Sequence, residues 1–97
     1  MISQVYKYSF DNDVPFASIK SSLAFALMAV ESLIGEPEMV LGVAHTIDKS
    51  GRTVEIAGRS RAGKLLNKLF VGFLIREFGP EAFSVQRVSR PSQDEQQ

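Results

Sequence analysis

A chain of 97 residues is one domain in length, with room for one hydrophobic core of modest size. Its 44 % apolar and 23 % charged composition is ordinary for a globular chain; the lack of cysteine excludes disulfides and thiol chemistry, and a single histidine would force any zinc site to lean on carboxylates. The zero net charge hides an asymmetry: residues 1–51 hold three Lys against six Asp or Glu, residues 52–90 hold eight Lys or Arg against three Glu, and Asp94 and Glu95 follow.

That distribution suits an anionic partner for the second half, or a self-complementary association, and it equally suits two differently charged solvated faces. Met1-Ile2-Ser3-Gln4 lacks the basic stretch that precedes the apolar run of a secretory signal. The longest apolar run, residues 23–30, is far short of the ~20 residues that span a bilayer. The expectation is a cytoplasmic chain with no membrane partner.

Residues 4–10 alternate, with Tyr6, Tyr8 and Phe10 on one side and Val5, Lys7 and Ser9 on the other, which predicts a half-buried strand. Asp11-Asn12-Asp13 breaks the chain, Asp13 is the expected N-cap, and Pro15 is preset for a first helical turn. A helix follows over 15–34. Phe16, Ile19, Leu23, Leu27, Val30 and Ile34 form its core stripe, and Gly35 with Pro37 closes it. Phe25, Met28 and Ala29 fall off that stripe and predict a second contact surface.

Residues 39–47 predict a second strand, with Met39, Leu41, Val43, His45 and Ile47 on one face. The polar turn at 48–51 leads into a third strand over 52–57, with Val54 and Ile56 inward. A long helix over 61–78 buries Leu65, Leu66, Leu69, Phe70, Phe73 and Leu74. Lys64, Lys68, Gly72 and Arg76 lie outside, with Val71 and Ile75 close to that outer row. Gly79-Pro80 stops it, and residues 83–88 predict a last strand. A single domain over 1–90 with a disordered polar tail over 91–97 is expected.

The order β-α-β-β-α-β resembles the ferredoxin-like split βαβ arrangement. This predicts an α+β two-layer sandwich with two helices on one face of a four-stranded sheet, and a polar outer face carrying Lys7, Ser9, Thr46, Thr53, Glu55, Ser84 and Gln86. The resemblance is one of element order and implies no function.

Gly58-Arg59-Ser60-Arg61-Ala62-Gly63-Lys64 fits G-x-x-x-x-G-K between a strand and a helix, as in a phosphate loop. Leu65 stands where the magnesium-binding hydroxyl belongs, and no apolar run ending in Asp follows to hold the metal, which argues against nucleotide hydrolysis. A plainer anion site remains: the free N–H groups of a helix N-terminus with Arg59, Ser60, Arg61, Lys64 and Lys68 around them, facing a phosphate, a nucleic-acid backbone or a partner's carboxylates. The alternative is a solvated turn with Ser60 as N-cap. A pI of about 6.6 and a third strand without an outward aromatic speak against a dedicated nucleic-acid binder.

His45 has no identifiable catalytic partner, and Asp11 and Asp13 are separated from Glu36 and Glu38 by a helix about 30 Å long. No catalytic residue, metal site or cofactor is assigned. Phe25, Met28, Ala29, Val71, Gly72 and Ile75 exceed what one sheet face can cover, so the first functional expectation is a non-enzymatic module that forms a homodimer through its helices. The second is the anion site, and the third a small enzyme whose site is not visible.

Overall fold

The computed structural model describes residues 2–91, in the order β1 (Ile2–Phe10), α1 (Phe16–Ile34), α2 (Glu36–Gly42), β2 (His45–Asp48), β3 (Thr53–Ala57), α3 (Arg61–Phe78) and β4 (Phe83–Pro91). The fold is α+β, with three helices and a four-stranded antiparallel sheet in the order β2-β3-β1-β4. β1 pairs along its whole length with β4, from Ile2 opposite Pro91 to Phe10 opposite Phe83. β3 covers only the stretch of β1 from Val5 to Ser9.

Alternation along β1 sorts the two faces. Tyr6 lies opposite Ile56 and Arg87, and Tyr8 opposite Val54 and Val85, all on the helix side. Lys7, Glu55 and Gln86 form a row on the other side, as do Ser9, Thr53 and Ser84. Tyr8, Val54 and Ile56 from the sheet meet Ile19, Leu23, Ala26 and Val30 of α1 and Leu66, Phe70 and Leu74 of α3 in one buried core. Phe70 sits at its centre, edge-on to Tyr8 at 4.9 Å and to Phe10 at 6.4 Å between ring centroids.

Two expectations need correction. Residues 39–42 are helical, not a strand: α2 begins with Pro37 in its first turn and carries Glu36 and Glu38 where the helix dipole favours anions. Met39 and Val43, four apart, both pack on the core, so the apolar run follows a helical period and leaves Val40 and Leu41 exposed. The second strand is therefore short, and His45 and Ile47 are exposed on it. Asp13 is not the cap of α1: the cap position is Pro15, with no side-chain bond. Arg52 holds that approach instead, its Nη2 donating to the carbonyls of Asp11 (2.7 Å) and Val14 from a backbone φ of 57°.

Other boundaries follow the sequence closely. Gly35 ends α1 and Gly79 ends α3, both at φ 87°, a conformation open to glycine. The turn after β2 is tied by Asp48, whose carboxylate accepts from the N–H of Gly51 and the hydroxyl of Ser50. Those bonds hold its carboxyl below its usual range, the Gly51 bond first. β4 extends through Pro91, and the rest of the expected tail, residues 92–97, lies outside the described residues. α1 is long and apolar enough to cross a membrane by length and composition, with a mean hydropathy of 1.4, yet its core stripe is buried against the sheet and α3.

Inside the core, one polar group is fully engaged. The Tyr8 hydroxyl donates to Asn67 Oδ1 (2.6 Å), and Asn67 Nδ2 donates to the Gly63 carbonyl (2.8 Å). Burial, and secondarily Tyr6, pushes the Tyr8 phenol well above its ordinary 10.0. The fold therefore prefers the neutral phenol. Its contribution is complete below the ordinary value and is lost as pH rises from there through the higher folded value. Chemical denaturation should show stability falling above pH 10 by up to ~1.4 kcal/mol per pH unit from this group. Tyr8→Phe should cost about 1–2 kcal/mol at neutral pH by stranding Asn67, and should flatten that alkaline slope. An unchanged slope would assign the loss to other groups.

Candidate functional site

Local packing explains why the basic turn has its sequence. Ser60 caps α3, its Oγ accepting from Gly63 N–H (2.9 Å) while its hydroxyl donates to the Gly42 carbonyl at the end of α2. Arg61 makes a two-bond pair with Glu38 of α2, at 2.7 and 2.8 Å. The two glycines of the phosphate-loop pattern have steric reasons. A Cβ on Gly58 would lie 2.5 Å from the Tyr6 ring, and one on Gly63 would lie 2.4 Å from the Ala57 carbonyl oxygen. Ser60 and Arg61 thus latch α2 to the start of α3. Arg59 is exposed at the turn, and Lys64 and Lys68 are exposed one and two turns into the helix.

The six residues expected to self-associate divide by exposure. Phe25 is 62 % exposed, Met28 63 % and Ile75 44 %, and Gly72 is open, with nothing within 4 Å of a Cβ built on it. Ala29 is half-buried and Val71 packs partly on the core. Phe25 and Ala29 extend at four-residue spacing to Leu33, 67 % exposed, which the stripe in the sequence did not include. Between α1 and α3 runs a cleft of about 490 Å³ with Phe25 and Phe73 on its walls and Ser18, Ser22, Arg76 and Glu77 around them.

A second concavity, about 670 Å³, lies between α3 and the helix side of β1 and β4. Its floor is Tyr6, Tyr8, Val71 and Val85; Lys64 and Lys68 stand on its α3 wall. Sequence reasoning missed this groove because the pairing of β4 with β1 was needed to put Val85 beside Tyr8. The alternation of Val85 and Arg87 was the available signal.

His45 lies exposed at the sheet edge opposite Ile56, with no side chain hydrogen-bonded to it among the described residues. Glu38 is taken by Arg61, while Asp11 and Asp13 line a shallow hollow near the start of α1. On the outer sheet face Arg90 pairs with Glu55 at 2.7 Å, a bond that holds the Glu55 carboxyl below its usual range. Comparison with family models, curated proteins and solved structures finds no match for the chain.

Proposed function

We propose that the chain is a non-enzymatic interaction module that self-associates as a homodimer through its helical layer. The observation that carries this reading is the exposure of Phe25, Met28 and Leu33 along α1; on α3, Ile75 and the Gly72 gap are also open. Long apolar side chains left open on the helical layer lose contact with water when a second copy covers them, at roughly 25 cal/mol per Å² of apolar area. Arg76 and Glu77 beside the cleft are opposite in charge, as an interface related by a two-fold axis can use. The strand order and the two helical crossovers support a ferredoxin-like arrangement, and a cytoplasmic setting fits a chain without cysteine.

Light scattering and sedimentation should give twice the chain mass well above micromolar concentration. Phe25→Glu with Met28→Glu should return the mass of one chain, with the helical content unchanged because both side chains lie outside the core. A one-chain mass for the unaltered protein at those concentrations would sink the reading.

A second reading is an anion site on the α3 wall, supported by the exposure of Lys64 and Lys68 at four-residue spacing near Arg59, Ser60 and Arg61. Phosphate or a short oligonucleotide should then raise the melting temperature at low salt, and Lys64→Ala with Lys68→Ala should remove the effect. No shift with either probe would end it.

A further inference from the structure

We infer that the groove between α3 and β4 receives an extended acidic peptide segment of another protein, added as a strand along the free edge of β4. This surface is separate from the α1 face invoked for self-association and does not depend on it.

Three observations converge. β4 is an edge strand of nine residues, paired among the described residues only with β1, so one row of its backbone N–H and C=O groups has no described strand beside it. The side of β4 that faces the helices is poorly covered: Val85 is 43 % exposed, although its cross-strand neighbour Tyr8 is fully buried. Above that side, α3 presents Val71 with Lys64 and Lys68, and Arg87 stands on the strand itself beside Tyr6. An added strand would hydrogen-bond to the β4 edge and drop alternate side chains into the groove. Apolar ones would meet Val85, Val71 and Tyr6, and carboxylates would meet Lys64, Lys68 and Arg87.

Charge selects this occupant over the alternatives. On its helix side β4 carries Arg87 and no Asp or Glu, while Arg90 on the outer face is paired with Glu55, so pairing with the same strand of a second copy would bring two Arg87 side chains together beside four lysines. A strand bearing Glu or Asp has the opposite sign. A single-stranded nucleic acid also has it, but needs flat rings on which to stack bases. Of the two rings in the floor, Tyr8 is fully buried with its hydroxyl bonded to Asn67, which leaves the half-buried Tyr6 as a single ring and not a stacking platform.

The test titrates the full chain with a fluorescent peptide of about eight residues alternating glutamate and valine, long enough to span the edge. Binding should saturate and weaken about tenfold or more from low to high salt. Amide NMR shifts should concentrate at 64–71 and 85–87. Lys64→Glu with Lys68→Glu should lower affinity about tenfold or more, since each reversal replaces attraction with repulsion. Phe25→Glu should leave affinity unchanged. A peptide alternating lysine and valine should not bind. The inference is overturned by no saturable binding at millimolar peptide, by equal binding of the lysine peptide, or by shifts confined to α1. Binding of a short oligothymidylate through the same lysines, with none of the glutamate peptide, would also overturn it.

Discussion

Phe70→Ala should destabilise the protein by about 3–5 kcal/mol, the range for truncating a buried aromatic side chain. Phe70 is fully buried and is the ring against which both Tyr8 and Phe10 pack edge-on. Removing it deletes two aromatic contacts and opens a void between α3 and β1 that neither Leu66 nor Leu74, one turn away on each side, can reach from its own position. A domain of this length has a total stability of about 5–15 kcal/mol, so the variant should be partly unfolded at moderate denaturant. Phe25→Ala is the matching control. Its ring is mostly exposed, so the unfolding midpoint of the single chain should move by less than about 0.5 kcal/mol. The same truncation should lower the tendency to self-associate. A comparable loss for the two variants would mean that Phe25 belongs to the core and not to a contact surface.

Periodicity made the core legible because its rules are local. The three-and-four spacing of Phe16, Ile19, Leu23 and Val30, and of Leu66, Phe70 and Leu74, needs no knowledge of distant residues, and all seven are buried. The alternation of Tyr8 with Lys7 and Ser9 placed the faces of β1 in the same way. Residues 36–43 misled for a physical reason. A run as short as Met39-Val40-Leu41 alternates acceptably as a strand and also fits one helical turn, and the deciding partners, Ser60 and Arg61, lie about twenty residues on. The basic turn was legible as a cap, since Ser60 sits just before a helix, but not as a latch, because a strand beginning at residue 39 leaves Glu38 outside any element that could bring it to Arg61. The groove over β4 needed register to become visible: Val85 meets Tyr8, 77 residues away in the chain, only once the two strands are paired residue by residue.

Gly63→Ala should cost about 3 kcal/mol, at the upper end for forcing atoms into a packed site. A methyl group there would lie 2.4 Å from the Ala57 carbonyl oxygen, and that neighbour is backbone at the end of β3, which has no rotamer to change. Relief requires α3 to lift from the sheet, which strains the Ser60 cap and the Asn67 bond to the Gly63 carbonyl, and through Asn67 the Tyr8 hydroxyl. Alanine is the better helix former by about 1 kcal/mol, so a net loss would show that steric contact outweighs propensity. Gly72→Ala isolates the propensity term, because nothing lies within 4 Å of its Cβ position. That variant should be more stable than the parent by about 0.5–1 kcal/mol as a single chain. If a second copy brings its backbone against Gly72, the added methyl should at the same time reduce the dimer mass at a given concentration. Stability rising while association falls is a pairing that a purely structural glycine would not produce; stability rising with association intact would remove Gly72 from the interface and leave Phe25, Met28 and Ile75 to carry it.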